Sequence, residues 1–374
     1  MYFEINRNYF IDEISKCNRI VDYKSVSPAL TGIFIEVDSD KISLVSTNQT
    51  LSIKTNIFAD TNDLKIKETG SFLIRGKNFI EILRRMDDEV ISMNKVETNL
   101  ITLSGEKSEF MLNVMDEQDF PTISFKEIGS MIEVETSDIK KSLNQTIISV
   151  DEYNQKIVLQ GINFQIDSSI LYITGTDGKR VSRKKIELGE VYNDRFVANV
   201  PFKSVSEIMK LLSDKGKTKI LVSDNFVTFT INNSIIQSTV LEGNFPDVNG
   251  VFPKDFNSTI YVENKKFLKL ISRADIPSEE NSSTVVNFIL SGETICIKSN
   301  IQQIGSFEEE FKEFELKGLE EQNIFFNSKY LLDALRSFET KTIEINFLDS
   351  KAPIVVVSSE DPSLSQIILP MFSS

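Results

Sequence analysis

The fold of this chain is decided by a short pattern whose first copy is Lys77-Asn78-Phe79-Ile80-Glu81-Ile82-Leu83. Its apolar residues have helical spacing, and its lysine and its acid stand four positions apart, as in an ion pair along a helix. The two further copies are Lys203-Ser204-Val205-Ser206-Glu207-Ile208-Met209 and Lys329-Tyr330-Leu331-Leu332-Asp333-Ala334-Leu335. Each copy begins 126 residues after the one before it. This period predicts three repeated units, each with a helix at the same place.

Two other echoes have nearly the same period. Apolar pairs four residues apart predict a second helix near the start of each unit. The pairs are Phe10 with Ile14, Ile139 with Leu143, and Phe267 with Ile271, and their first members are 129 and 128 residues apart. The segments Asp119-Phe120-Pro121 and Asn244-Phe245-Pro246 are 125 residues apart. The sequence therefore predicts three domains, at residues 1–127, 128–254 and 255–374.

Between the helices the chain has the alternation and the turns of antiparallel strands. Phe226-Val227-Thr228-Phe229-Thr230-Ile231 continues through Asn232-Asn233 into Ser234-Ile235-Ile236-Gln237-Ser238, which is typical of a two-residue hairpin. A second hairpin is predicted from Ile101 to Leu112, around Gly105. Each unit therefore predicts the order β-α-β-β-β-α-β-β-β, an α+β fold class dominated by antiparallel sheet.

One segment conflicts with its local propensity. Phe307, Phe311 and Phe314 stand among five glutamates, and this spacing and composition favour a helix. The repeat places the segment where the first two units have strands, so we predict strands here.

The composition sets the broad class of the protein. The chain has 374 residues, 40% of them hydrophobic, which is ample for folded domains. No apolar run approaches the roughly 18 residues of a membrane helix. The N-terminal residues lack the basic and apolar order of a signal peptide. We therefore expect a cytoplasmic protein with no membrane partner.

The residue types also restrict the chemistry. Histidine is absent, so histidine bases, serine or cysteine nucleophiles paired with histidine, and histidine-bound zinc are excluded. Cys17 and Cys296 are too few for a thiolate metal site. Gly216-Lys217-Thr218 resembles the end of a phosphate-binding loop, but Leu211 replaces the earlier glycine and a strand follows. We predict no catalytic residue, no metal and no cofactor, and hence no enzyme.

The charge is distributed unevenly. The chain carries 41 basic and 55 acidic residues, a net charge of −14. Six predicted helix windows nevertheless hold 16 basic and 6 acidic residues, a net charge of +10: residues 7–20, 76–86, 137–149, 201–212, 264–274 and 327–338. Helix propensity favours lysine and arginine, but it favours glutamate equally. The contrast predicts that the helices form a basic surface for nucleic-acid phosphates. Such a surface binds without sequence specificity.

The predicted DNA contacts on these windows are Arg84, Arg85, Lys140, Lys141, Lys203, Lys210, Lys269 and Arg273. The helical phenylalanines stand beside isoleucine and leucine, so we expect them in the core and not stacked on bases.

Two short segments have both a structural and a functional interpretation. Thr176-Asp177-Gly178-Lys179-Arg180 follows an apolar strand, and such a segment is usually only a turn. The C-terminal Ile367-Ile368-Leu369-Pro370-Met371-Phe372 fits a buried last strand. Its proline and methionine also fit one wall of an exposed groove.

Together with the repeat, these residues resemble the bacterial β sliding clamp family, the processivity subunits of DNA polymerase III. The resemblance covers the whole chain. Its markers are Thr176-Asp177-Gly178 with Arg180, Asp119-Phe120-Pro121, Asn244-Phe245-Pro246-Asp247, Phe252-Pro253 and Leu369-Pro370-Met371.

The resemblance implies a ring. In this family two chains of three clamp domains form a head-to-tail homodimer with twelve helices inside and sheets outside. The ring would encircle double-stranded DNA and tether the polymerase III catalytic subunit, the clamp loader and other proteins with a clamp motif. Its interface would join an edge strand near Leu112 to the third domain near Ile276.

The resemblance also implies two sets of contact residues. Further DNA contacts fall on Lys24, Lys77, Tyr153, Asn154 and Gln155. The peptide-binding groove falls on Leu159, Thr176, Gly178, Lys179, Arg180, Val181, Pro246, Val251, Asn327, Tyr330, Leu369, Pro370 and Met371. Lys179 replaces a histidine of many members and Gly250 an arginine of some, which predicts a shallower groove with a different peptide preference.

Two alternatives to a DNA tether remain at this point. One is an enzyme that uses carboxylates on a repeat scaffold. The absence of histidine and of a catalytic constellation in the sequence counts against it. The other is an acidic scaffold that binds only proteins, against which the basic helices count. Retention on circular but not on linear DNA distinguishes the tether from both.

Overall fold

The computed structural model describes residues 1–59, 64–126, 129–192, 196–223, 225–253, 255–275, 284–301 and 305–371. Within these ranges the α-helices are α1 (Arg7–Asn18), α2 (Gly76–Arg85), α3 (Thr136–Thr146), α4 (Phe202–Leu211), α5 (Asn264–Ala274) and α6 (Ser328–Ser337). All six predicted helix windows are therefore helical.

The first and middle repeats supply sixteen strands: β1 (Tyr2–Asn6), β2 (Gly32–Val37), β3 (Lys41–Thr47), β4 (Leu51–Phe58), β5 (Lys65–Glu68), β6 (Gly70–Arg75), β7 (Val90–Glu97), β8 (Leu100–Ser104), β9 (Glu109–Asn113), β10 (Ser130–Glu135), β11 (Gly161–Thr176), β12 (Arg180–Tyr192), β13 (Val197–Pro201), β14 (Lys217–Val222), β15 (Phe226–Ile231) and β16 (Ser234–Thr239). The third repeat supplies nine more: β17 (Ser258–Glu263), β18 (Val285–Ser291), β19 (Thr294–Ile301), β20 (Gly305–Phe311), β21 (Phe314–Gly318), β22 (Glu321–Asn327), β23 (Thr342–Phe347), β24 (Ile354–Val357) and β25 (Leu364–Ile368).

The element order matches the predicted one, with extra strands in two of the repeats. The middle repeat, from β10 to β16, has the order β-α-β-β-β-α-β-β-β. The first and the third repeat each have five strands between their helices, two more than predicted. The glutamate-rich segment forms β20 and β21, as predicted from the repeat, because its phenylalanines pack on the core of the third repeat. Both predicted hairpins are present, as β15–β16 and β8–β9.

The predicted apolar pairs anchor the helices. Phe10, Ile14, Ile139, Leu143, Phe267 and Ile271 are all fully buried. The ring of Phe10 lies 6.2 Å from that of Phe79 in α2, in an edge-to-face arrangement. Local caps fix where helices begin: the Asn6 side chain accepts a hydrogen bond from the Tyr9 amide at the start of α1.

The chain divides into two compact units. The first contains residues 1–137 and 206–240, and the second contains residues 138–205 and 241–374. Each unit has two sheets with antiparallel pairing throughout the described residues. The middle repeat is shared, with β10 and β14–β16 in the first unit and β11–β13 in the second.

The first unit holds a five-stranded sheet, β5-β1-β7-β8-β9, and an eight-stranded sheet, β10-β14-β15-β16-β4-β3-β2-β6. The eight-stranded sheet joins two repeats through β16 and β4, where Ile236 is opposite Ile53. The hydroxyls of Thr55 and Ser234 lie 2.9 Å apart across this junction.

The second unit holds an eight-stranded sheet, β13-β11-β12-β25-β24-β23-β17-β21, and a four-stranded sheet, β20-β19-β18-β22. Its eight-stranded sheet again joins two repeats, here through β12 and β25, where Val181 is opposite Ile367. This junction brings the 176–180 turn next to the C-terminal residues. Across the described ranges, no helix is both long and apolar enough to span a bilayer.

Candidate functional site

The turn between β11 and β12 is held by its own side chains. Thr176 Oγ1 accepts a hydrogen bond from the Gly178 amide at 3.1 Å and donates to the Arg180 carbonyl at 2.6 Å. Asp177 Oδ1 accepts from the amides of Lys179 and Arg180 at 2.8 and 3.0 Å. Gly178 has a φ of +90°, which favours glycine at this position. The turn is therefore fixed before any partner binds.

Arg180 ties this turn to α6. Its Nε donates to Asp177 Oδ2 at 3.1 Å, and its Nη1 donates to Asp333 Oδ2 at 2.8 Å. Its guanidinium lies 4.3 Å from the ring centroid of Tyr330. The side chain of Arg180 is buried and satisfied, so it positions the turn. Sequence reasoning missed Asp333 as its partner, although the third repeat marked that residue as the acid of its pattern.

The C-terminal segment passes alongside this turn. The Leu369 amide donates to the Lys179 carbonyl at 3.0 Å, and the Met371 amide donates to the Phe325 carbonyl at 2.7 Å. Ile367 and Ile368 are buried within β25, whereas Leu369 and Met371 are each 37% exposed. The two interpretations of the tail therefore apply to successive residues, a buried strand followed by exposed apolar side chains.

An apolar cluster lies beside the tail. Val181, Val248, Val355 and Ile367 form its buried part, and Phe245, Val251, Phe252 and Val357 pack on it half-buried. Val181 and Val251 were predicted in the groove, but Val248, Val355 and Ile367 were not. The signal for Val355 and Ile367 was available in the apolar strands β24 and β25.

The other predicted groove residues have separate positions. Leu159 is buried near Gly178, where an added Cβ would lie 3.9 Å from Leu159 Cδ1. Asn327 caps α6 by accepting hydrogen bonds from the amides of Lys329 and Tyr330. Lys179 is exposed, and a Cβ at Gly250 would meet no atom within 4 Å. The surface beside these two residues is thus open.

A cavity of about 260 Å³ lies next to the apolar cluster. Pro246 and Val248 line it, and so does Arg183. Val248 also belongs to the apolar cluster, so the cluster and the cavity share a wall.

The predicted DNA-binding cations fall into two groups. Lys77, Arg84, Lys203 and Lys269 are exposed, and none of them forms an ion pair with a residue that the structure describes. The second group is paired with acids: Arg85 with Glu81 at 2.7 Å, Lys210 with Glu207 at 2.6 Å, Lys141 with Glu339 at 2.9 Å, and Arg273 with Glu309. Hydrogen bonding to Arg273 lowers the pKa of Glu309, and the same contact raises the pKa of Arg273. Lys140 on α3 is half-buried.

The predicted loop contacts differ in their freedom. Tyr153 is 79% exposed, and Gln155 and Lys24 are also exposed. Asn154 Nδ2 donates to the Asp177 carbonyl at 3.0 Å, and its Oδ1 accepts from the Lys156 amide. The side-chain amide of Asn154 therefore holds the turn at Thr176–Arg180 through the Asp177 carbonyl.

The predicted interface residues lie partly outside the described chain. Leu112 is half-buried on β9, which is an edge strand of the five-stranded sheet. Ile276 lies outside the described residues. Among the residues that are described, no group of three or more Cys, Asp or Glu side chains is placed to hold a metal ion.

Comparison with known proteins connects these observations. Three family models match in succession: the N-terminal domain of the DNA polymerase III beta subunit at residues 1–124, its central domain at 133–247 and its C-terminal domain at 249–372. The chain belongs to the beta sliding clamp family. The prediction of a sliding clamp of DNA polymerase III, a processivity factor and not an enzyme, is thereby confirmed.

Individual relatives agree with this family over their whole length. The beta sliding clamp of Mycoplasma capricolum is 34% identical over 374 residues and 100% of both chains. That of Bacillus subtilis is 28% identical over 99% of both chains. The crystal structure of the DNA polymerase sliding clamp from Bacillus subtilis has a TM-score of 0.95 at 28% identity and full coverage of both chains. The three-domain sliding clamp fold is therefore present in this chain.

Proposed function

We propose that two copies of the chain close head to tail into a ring that encircles double-stranded DNA and confers processivity on DNA polymerase III. The observation that carries this proposal is the segregation of charge, since α1–α6 hold 15 basic and 6 acidic residues, a net charge of +9, in a chain of net charge −14. A ring with these helices inside places cations towards phosphates and acids towards solvent.

The ring needs three clamp domains in each chain. We assign them to residues 1–127, 128–254 and 255–374, in support of which three family models match at 1–124, 133–247 and 249–372. Six domains with two helices each would then surround the hole. Head-to-tail contacts are heterologous, and they close here because two chains complete the rotation.

The contacts to DNA would be independent of sequence. Exposed cations on the helices, Lys77, Arg84, Lys203 and Lys269, neutralise phosphates without reading base edges. The other proposed contacts are Lys24, Arg85, Lys140, Lys141, Tyr153, Asn154, Gln155, Lys210 and Arg273. Those already paired with an acid, such as Arg85, would contribute less because their charge is compensated within the chain.

The head-to-tail interface would use the edge of a sheet. β9 with Leu112 is an edge strand, and an edge strand presents unpaired backbone groups to a second chain. Its counterpart would be the third domain near Ile276. The protein would act in the cytoplasm, without a cofactor or a metal.

Partner proteins would bind at the thirteen predicted groove residues. The exposed side chains of Leu369 and Met371 and the apolar cluster around Val181 offer pockets for apolar peptide anchors. The polymerase III catalytic subunit, the clamp loader and other proteins with a clamp motif would share this groove. One groove for many partners makes their binding mutually exclusive on each chain.

The test is primer extension on circular single-stranded DNA by the cognate polymerase III catalytic subunit with clamp loader and ATP. We expect long products only when the chain is present, and short products with Leu112→Asp, whose carboxylate would break the interface. Val191→Ala, at an exposed apolar residue on β12, is the control and should give long products. Product length that is independent of the chain would contradict the proposal.

A further inference from the structure

Arg183 is a buried cation without a counterion. The residue is 8% exposed, and no described carboxylate forms an ion pair with it. Its Nη1 donates to Asn249 Oδ1 at 2.6 Å, while its Nε is buried and has no hydrogen-bond partner among the described residues. A buried charge is costly unless it is paired, so this arrangement calls for an anion.

The rings around Arg183 stabilise it only in part. Its guanidinium lies 4.0 Å from the ring centroid of Tyr172 and 5.7 Å from that of Phe252. Burial lowers the pKa of Arg183, and its electrostatic interactions with Tyr172, Asp247 and Asp167 oppose that shift without reversing it. Aromatic faces attract a cation but do not replace a carboxylate.

The space for an anion is the 260 Å³ cavity that Arg183 lines. Its other polar lining comes from Asn163, Gln165, Thr174, Asp247 and Asn249. Asp247 is the one acid in this lining, and its Oδ1 already accepts a hydrogen bond from the Asn249 amide at 2.9 Å. The volume exceeds that of several waters, each of which occupies about 30 Å³. It is thus large enough for an acidic side chain.

The position of the cavity indicates where that acid would come from. Pro246 lines the cavity and belongs to the proposed groove, and Val248 is shared with the apolar cluster around Val181. A peptide whose apolar anchors occupy the cluster therefore passes the mouth of the cavity.

We propose that the Arg183 cavity is a carboxylate-binding subsite that takes an acidic side chain of the peptide bound in the neighbouring apolar groove. This inference rests on the proposed peptide-binding function and adds a determinant of partner preference to it. The guanidinium supplies the charge and planar donors that suit a carboxylate, and Asn163, Thr174 and Asn249 supply polar neighbours.

The test uses a labelled decapeptide that covers the clamp-binding segment of the cognate polymerase subunit. In a series of this peptide, each position outside the apolar anchors carries Glu or Gln in turn. Fluorescence anisotropy with the full chain gives the affinity of each pair. At one position we expect Glu to bind about tenfold more tightly than Gln, the difference that a charge-assisted hydrogen bond supplies. Added salt should reduce this preference.

Two variants make the result specific. Arg183→Gln should bind the Glu and Gln peptides alike. Asp247→Asn keeps an acceptor for the Asn249 amide but removes a negative charge from the cavity, so it should strengthen the preference for Glu by about threefold. Equal binding of Glu and Gln at every position of the wild type would overturn the subsite. Absence of binding by any peptide would instead overturn the proposed groove.

Discussion

Arg180 Nη1 lies 2.8 Å from Asp333 Oδ2, in a hydrogen-bonded ion pair between residues that are 153 positions apart in the sequence. The pair joins the turn of the middle repeat to the second helix of the third repeat. Since the ring of Tyr330 lies beneath the same guanidinium, the pair also fixes one wall of the proposed groove.

Asp333→Ala should destabilise the chain and weaken peptide binding together. It leaves the buried Arg180 with one carboxylate, at a cost of about 2 kcal/mol for a lost hydrogen bond to a charged group. The thermal unfolding midpoint and the affinity of the polymerase peptide should both fall, with a smaller effect for Asp333→Asn. If Asp333→Ala destabilises the protein but leaves the peptide affinity unchanged, the ion pair does not shape the groove.

The exposed apolar tail should matter for the peptide alone. Leu369→Ala combined with Met371→Ala removes two anchors of the proposed pocket, which should weaken peptide binding by a factor of about 30, or about 2 kcal/mol. Anisotropy measures the affinity, and Val191→Ala is the exposed apolar control. Sedimentation should give the same mass, about twice 42.5 kDa, for all three proteins. Wild-type affinity in the double variant would show that Leu369 and Met371 do not contact the peptide and that the tail only completes the sheet.

Adjacent arginines on α2 provide a matched pair for the DNA contacts. Arg84 has no ion-pair partner among the described residues, whereas Arg85 donates to Glu81 at 2.7 and 2.9 Å. Arg84→Ala should lower loading on primed DNA at moderate salt and reduce the salt slope by about one phosphate contact. Arg85→Ala should change both less, because it removes a compensated charge. Equal losses of loading in the two variants, or a larger loss for Arg85→Ala, would contradict the assignment of Arg84 as the stronger DNA contact.

Acid should unfold the chain partly through Asp361. Burial raises the pKa of this carboxyl, but hydrogen bonds from Lys184 and Ser363 outweigh burial and hold the pKa below its ordinary value. Its stabilisation is therefore complete above the unfolded pKa of about 3.9 and is lost as the pH falls through the lower folded pKa. The partner Lys184 stays protonated over this range, although its own burial lowers its pKa.

Asp361→Asn tests this pH dependence. At pH 6 it should cost about 3 kcal/mol, because it leaves the buried Lys184 without its carboxylate. By pH 3 the difference in thermal midpoint between wild type and variant should narrow. A difference that is constant from pH 6 to pH 3 would show that the charge of Asp361 contributes nothing.

The local elements of the fold could be predicted from the sequence because their signals are local. Helical spacing around Phe79 and Phe267, and the Asn232-Asn233 turn, fix the structure of their own neighbourhood. For the glutamate-rich segment around Phe311, the repeat predicted strands where local propensity favoured a helix, and the segment forms strands.

The contacts between repeats could not be predicted in the same way. Any exposed strand edge satisfies the hydrogen bonds of another, so nothing local selects β4 as the partner of β16, or β25 as that of β12. For the same reason the sequence did not distinguish free cations from compensated ones. Whether Arg273 faces a phosphate depends on Glu309, which belongs to a strand 36 residues later.

Retention on DNA of different topology tests the central claim most directly. The protein is loaded onto nicked circular DNA with the clamp loader and ATP, separated from free protein by gel filtration, and measured before and after one restriction enzyme linearises the circle. A closed ring held by topology should stay on the circle and should be lost from the linear form by sliding off its ends. Equal retention on both forms, or no retention on either, would contradict encirclement of DNA by this chain.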